Sequence, residues 1–62
     1  MRKVDGVIYF TVPEAARILG EQNDVVRNWV IRREIEWRKF ENRRVYIADT
    51  EIAKKVAELT TR

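Results

Sequence analysis

The chain is short, and its composition limits the classes of protein to which it can belong. It has 62 residues, with 13 lysines and arginines against 10 acidic residues, a net charge of +3, and neither cysteine nor histidine. Disulfides, thiolate or imidazole metal sites and histidine-dependent catalysis are therefore excluded. The length suits a single domain spanning residues 1–62. No apolar run exceeds four residues, which argues against a transmembrane helix or a signal peptide and predicts a soluble, cytoplasmic protein.

The positive charge is concentrated in one part of the chain. Residues 27–44 contain seven basic and three acidic side chains, a balance of +4, while the remaining six basic and seven acidic residues sum to −1. A local excess of this kind is typical of a surface that binds nucleic acid. A solvated face of mixed charge is the alternative interpretation of the same pattern.

The first elements are predicted from residues 6–20. The segment GVIYF (Gly6 to Phe10) is rich in β-branched and aromatic residues and predicts a short strand. A helix then begins at Thr11, which forms a capping box with Glu14. Its apolar face has helical spacing and ends before Gly20, the left-handed residue that typically follows a helix. The residues of this face are Val12, Ala15, Ala16 and Leu19.

A second helix is predicted from about Val25 to Arg33, with Asn23 or Asp24 as its N-cap. Its inward face carries Val26, Trp29 and Val30. The opposite face, at 100° per residue, presents polar side chains and one isoleucine to solvent. The residues of this outward face are Asp24, Arg27, Asn28 and Ile31.

A hairpin and a third helix complete the predicted order of strand, helix, turn, helix, hairpin, helix. The segment WRKFENRRVYI (residues 37–47) predicts two short strands around a turn at Glu41-Asn42, where asparagine tolerates a positive φ. Asp49 or Thr50 is expected to cap the third helix. Its inward residues are predicted to be Ile52, Val56 and Leu59. Its outward residues are predicted to be Lys54, Lys55 and Glu58.

The ordered motifs FTVPEAARILG (residues 10–20), VVRNW (residues 25–29) and RRVYI (residues 43–47) resemble the excisionase/MerR-like winged helix-turn-helix family over about residues 8–59. The resemblance implies a mainly α fold with a small β-hairpin wing. Members commonly carry a DNA-contacting arginine where Arg27 stands. The chain departs from the family at Glu21-Gln22 in the turn and at Glu41-Asn42, where the wing usually has two glycines. It departs also at Arg33, where the family usually has the glycine that ends the recognition helix. Either Arg33 adopts the left-handed conformation, or the second helix continues slightly beyond it.

These features predict a protein that binds duplex DNA. An outward arginine can pair with guanine and an outward asparagine with adenine in the major groove, while other basic residues suit phosphates or the minor groove. An outward isoleucine can contact a thymine methyl group, or it can be partly covered by the wing or by a neighbouring subunit. The residues predicted for the recognition helix are Gln22, Asn23, Asp24, Arg27, Asn28, Ile31 and Arg32. The residues predicted for the wing and backbone contacts are Arg38, Lys39, Asn42, Arg43 and Arg44.

The predicted role is that of a small transcription regulator or an excisionase-like recombination directionality factor associated with the nucleoid. An enzyme is not expected, and neither are a cofactor, a metal, a small-molecule ligand or a membrane partner. The expected partners are double-stranded DNA, copies of the protein on adjacent sites, and a recombinase or RNA polymerase. The alternatives are a protein-interaction module using the same helical face, an RNA or single-strand binder, and the DNA-binding fragment of a larger MerR-like regulator.

Overall fold

The computed structural model describes residues 1–61, which form an antiparallel sheet and three helices in the order β-β-α-α-β-β-α. The strands are β1 (Arg2–Val4), β2 (Val7–Thr11), β3 (Arg38–Lys39) and β4 (Val45–Ala48). The helices are α1 (Val12–Leu19), α2 (Asn23–Ile31) and α3 (Asp49–Thr60).

The fold class predicted from the sequence is wrong. The four strands form one curled antiparallel sheet in the order β1-β2-β4-β3, and helix accounts for 48% and strand for 23% of the structure. The molecule is therefore not a mainly α winged helix. The physical reason is that β4 pairs along β2, with Phe10 opposite Ile47. This pairing makes the basic hairpin (β3, residues 40–44 and β4) part of the central sheet instead of an appendage.

The first hairpin was missed in the sequence although its turn carries a recognised signal. Asp5 and Gly6 connect β1 to β2, and both have positive φ, 51° and 80° respectively. Two left-handed residues give a turn whose twist matches that of the flanking strands, and Asp-Gly is a favoured pair for it. The strand predicted over residues 6–10 is observed one residue later, as β2.

The start and end of α1 are confirmed as predicted. The Thr11 hydroxyl accepts a hydrogen bond from the Glu14 N–H, and Glu14 Oε1 accepts one from the Thr11 N–H at 2.9 Å. Gly20 is left-handed with φ 68°. The N–H of Glu21 reaches the Ala16 carbonyl at 2.9 Å, which completes a Schellman motif at the helix end.

Helix α2 begins and ends two residues earlier than predicted. Its N-cap is Gln22, which makes no side-chain capping bond, so neither Asn23 nor Asp24 has the predicted capping role. The helix ends in a second Schellman motif, in which the N–H of Glu34 bonds to the Trp29 carbonyl at 2.8 Å. Arg33 occupies the left-handed position of this motif, with φ 60°. Of the two alternatives that the sequence left open for this residue, the left-handed conformation is correct.

The turn of the basic hairpin differs from the prediction. The positive φ falls on Arg43, at 60°, and not on Asn42. Asn42 instead fixes the loop with its side chain: its Oδ1 accepts from the Arg44 N–H at 3.1 Å, and its Nδ2 donates to the Tyr46 hydroxyl at 2.9 Å. The loop covers residues 40–44, because only Arg38 and Lys39 of the first strand pair with β4.

Helix α3 differs from the prediction at its N-cap and at two side chains, whereas Ile52 is buried and Lys54 and Glu58 are exposed as predicted. Its N-cap is Ala48, without a side-chain capping bond, rather than Asp49 or Thr50. Val56 is 43% exposed, whereas Lys55 is only 7% exposed. The Lys55 ammonium lies 4.6 Å from the centre of the Trp29 ring and 3.1 Å from Glu58 Oε2, so a cation–π contact and an ion pair offset its burial.

The hydrophobic core lies between the helices and the inner face of the sheet. It contains the buried residues Ala15, Ala16, Val26, Ile35, Ile47 and Ile52. Phe10, Val12, Leu19, Trp29 and Val30 pack against these residues and are themselves partly buried. The inward faces predicted for the first two helices are therefore confirmed. Within residues 1–61, none of the three helices has both the length and the apolar character needed to cross a membrane.

Stability should depend on the charge of Glu14. Its pKa is lowered from an ordinary 4.5 to about 2, chiefly by the hydrogen bond from the N-terminal ammonium and next by that from the Thr11 N–H. A lowered folded-state pKa stabilises the fold above pH 4.5, and the contribution is lost as pH falls toward 2. We expect the free energy of unfolding, measured with urea, to fall less steeply as pH is lowered from 4.5 to 2 in the Glu14→Gln variant than in the unsubstituted protein. Identical slopes in the two proteins would contradict this role.

The left-handed Arg33 should lower stability, because a side chain with a Cβ is strained at positive φ by about 1–2 kcal/mol. Arg33→Gly is therefore expected to raise the free energy of unfolding by up to about 1 kcal/mol, part of the gain being offset by the entropy of the unfolded glycine. Arg32→Gly is the matched control, since Arg32 has φ −81° and should lose stability when replaced by glycine. Destabilisation by both substitutions would show that Arg33 is not strained in solution.

Candidate nucleic-acid interface

The outward face of α2 is arranged as the sequence predicted. Asp24, Arg27, Asn28 and Ile31 are all exposed, while Val26 on the opposite side of the helix is fully buried. The exposed residues follow the helical spacing i, i+3, i+4, i+7, so they form one stripe along the helix. Gln22 and Asn23, just before this stripe, are also exposed, as is Arg32 just beyond it.

A shallow groove brings two of the predicted arginines together. Arg27 from α2 and Arg44 from the basic hairpin line this groove with Thr11, Val12, Pro13 and Val45. The two arginines are far apart in the sequence, and their common position follows from the β2–β4 pairing, which places the start of β4 beside the start of α1. The groove therefore carries two guanidinium groups, a side-chain type that pairs with carboxylate and phosphate groups.

The basic residues of the segment 27–44 have no carboxylate partners in the part of the chain that the structure describes. The ion pairs found there involve the N-terminal ammonium, Arg2, Lys54 and Lys55. The seven basic residues without an ion pair among residues 1–61 are Arg27, Arg32, Arg33, Arg38, Lys39, Arg43 and Arg44. Their charge is therefore available to an external anion.

The acidic residue in the turn of the basic hairpin is neutralised from another element. Glu41 accepts a hydrogen bond from the Arg2 guanidinium, and this bond is the main cause of a lowered pKa for Glu41 and a raised pKa for Arg2. The guanidinium also lies over the Phe40 ring, 4.5 Å from its centre. The negative charge at this tip is thus balanced within the protein.

Arg38 lies apart from the groove, although the sequence predicted that it joins the other basic residues. It stands opposite Tyr46 in the sheet, on the face that points away from the core residues Phe10 and Ile47. Its guanidinium lies 4.9 Å from the centre of the Phe40 ring and 5.9 Å from that of Tyr9. Arg38 therefore supports the outer surface of the sheet, whereas Arg27 and Arg44 face the groove.

The other residues predicted for the hairpin, Lys39, Asn42 and Arg43, are not among the residues that line the groove. Lys39 is exposed, with its ammonium 5.6 Å from the centre of the Trp37 ring. Arg43 is exposed at the left-handed position of the loop. The side chain of Asn42 is occupied by its bonds to Tyr46 and Arg44, so its role is to fix the loop.

The sequence did not reveal the aromatic cluster that supports the basic hairpin. The Phe40 ring packs edge-to-face against Tyr9 at 5.1 Å and against Tyr46 at 5.3 Å. Such pairs contribute about 0.5–1.5 kcal/mol beyond their buried area. Recognition of the Asp-Gly turn would have placed Arg2 beside Tyr9, and with it the cation above this cluster.

Residues 1–61 contain no group of three or more acidic residues placed to hold a metal ion. Comparison with protein-family models, curated proteins and solved structures found no match for the chain.

Proposed function

We propose that the protein binds duplex DNA through the exposed face of α2 and the groove that Arg27 of this helix shares with Arg44 of the basic hairpin. The observation that carries this proposal is the placement of Arg27 and Arg44, from two different elements, at one groove where neither has a carboxylate partner among residues 1–61. An uncompensated pair of arginines at a shallow, exposed groove suits a polyanion better than an uncharged partner.

The exposed stripe of α2 has the side chains needed to read bases. A helix with its side chains is about 10–12 Å wide, and the major groove is about 12 Å wide, so the helix fits lengthwise in it. Arg27 can donate two hydrogen bonds to guanine O6 and N7. Asn28 can pair in the same way with adenine N6 and N7. In this proposal Arg27 and Asn28 select the DNA sequence, and the basic residues that contact phosphate set the affinity.

The basic hairpin would bind the phosphate backbone next to the helix. Arg44 shares the groove with Arg27, and Arg43 is exposed one residue before it. Contacts to phosphate fix the register of the protein on the duplex without reading sequence, and one arginine could reach the adjacent minor groove. Arg32, just after α2, would contact phosphate at the other end of the stripe.

The biological role that we propose is regulation of transcription or direction of recombination, in the cytoplasm and associated with the nucleoid. Both roles use the same DNA-binding surface. Recombinase or RNA polymerase would then be the protein partner. One small interface competes poorly with non-specific DNA, so further copies on adjacent sites would increase the affinity.

Substitution of the groove arginines should reduce both affinity and its salt dependence. Each phosphate contact adds about 0.9 to the slope of log K against log salt concentration. On a mixed-sequence duplex, where no guanine is placed for Arg27 and its guanidinium can meet a phosphate instead, we expect Arg27→Gln and Arg44→Gln each to lower that slope by about one. On a site selected from a randomised duplex pool, Arg27→Gln should also cost about 1–3 kcal/mol and relax the sequence preference.

Arg38→Gln is the matched control, because it removes the same charge from the outer face of the sheet. Its affinity and salt slope should stay closer to those of the unsubstituted protein than either groove variant does, with circular dichroism verifying that all three fold. Equal losses in the three variants would show that the net charge, rather than the groove, determines binding. Binding that is independent of salt would exclude a duplex ligand and favour a protein partner.

A further inference from the structure

Ile31 is a large aliphatic side chain in the middle of a polar and cationic surface. It is 70% exposed, more than any other exposed large hydrophobic residue within residues 2–61. It lies in the last turn of α2, on the same stripe as Arg27 and Asn28, and Arg32 follows it directly. Burying such a side chain against an apolar group would stabilise a complex.

The proposed ligand offers few apolar groups to this side chain. In the major groove each base edge presents hydrogen-bond donors and acceptors, and the thymine 5-methyl group is the apolar feature among them. Arg27 and Asn28 can satisfy donors and acceptors, but they gain little from a methyl group. Ile31 has the complementary chemistry. On the basis of the proposed function, we infer that Ile31 contacts a thymine methyl and makes the protein select a thymine at one position of its target.

The spacing along α2 determines where that thymine lies. Ile31 is four residues after Arg27, which corresponds to about 6 Å along the helix axis at 1.5 Å per residue. Successive bases are about 3.4 Å apart along a strand of the duplex. The selected thymine is therefore one or two base pairs from the guanine that Arg27 reads.

The inference is tested on a duplex selected by the protein from a randomised pool. Each thymine of the selected site is replaced in turn by deoxyuridine, which removes only the methyl group. At one position, one or two base pairs from the guanine whose recognition is lost in Arg27→Gln, we expect affinity to fall roughly three- to tenfold. Ile31→Ala should bind the unmodified duplex with an affinity reduced by a similar factor. Replacing the thymine with deoxyuridine should not reduce the affinity of this variant further.

Ile18→Ala is the matched control, because Ile18 is an isoleucine that is 50% exposed and belongs to α1 rather than to the exposed stripe of α2. It should keep full sensitivity to deoxyuridine. If no single deoxyuridine weakens binding, or if Ile31→Ala stays as sensitive as the unsubstituted protein, the inference is wrong while duplex binding stands. If the pool yields no bound duplex, the proposed function fails and the inference fails with it.

Discussion

The structure depends on the close approach of α1 to the elements around it, which the two alanines on its inner face permit. Ala15 is fully buried and Ala16 is 2% exposed, and α1 contacts α2, α3, β2 and β4. A larger side chain at either position would push at least one of these elements outward, because protein cores are packed almost without free space. The direction of α1 is set at both ends, by the capping box at Thr11 and by Gly20. The orientation of α2, and of its exposed stripe, follows from this packing.

The second determinant is the way that the fold separates charge. The net charge is only +3, yet the basic residues around α2 and the hairpin are without carboxylate partners among residues 1–61. Three acidic residues are engaged by basic residues from outside this surface: Glu41 by Arg2, Glu51 by Lys54, and Glu58 by Lys55. The Phe40 cluster holds the loop in place, so that Arg44 is presented at the groove. A small protein can thus carry a cationic surface without a large net charge.

Local rules were sufficient to predict much of this from the sequence. The limits of α1 followed from side-chain capping and from glycine, both of which act within a few residues. The core face of α2 followed from helical periodicity. The limits of α2 were misplaced because its N-cap makes no side-chain bond, and because an arginine occupies a left-handed position that usually selects glycine.

Features that depend on distant contacts were not predicted. The β2–β4 pairing, which overturned the predicted fold class, joins strands separated by two helices. Lys55 was expected in solvent because it is charged, but the ring of Trp29 and the carboxylate of Glu58 offset its burial. The sequence identified Arg27 and Arg44 separately, but only the tertiary structure places them at one groove. The same structure directs Arg38 to the outer face of the sheet.

The central claim is that α2 and the basic hairpin form a single binding surface for duplex DNA. It is tested most directly by adding a mixed-sequence duplex to ¹⁵N-labelled protein at low salt and recording which amide resonances shift. We expect the largest shifts at Arg27, Asn28, Ile31 and Arg44, with β1 and Trp37 nearly unchanged. Shifts confined to Tyr9, Trp37 and Arg38, or no shifts at all, would contradict the claim.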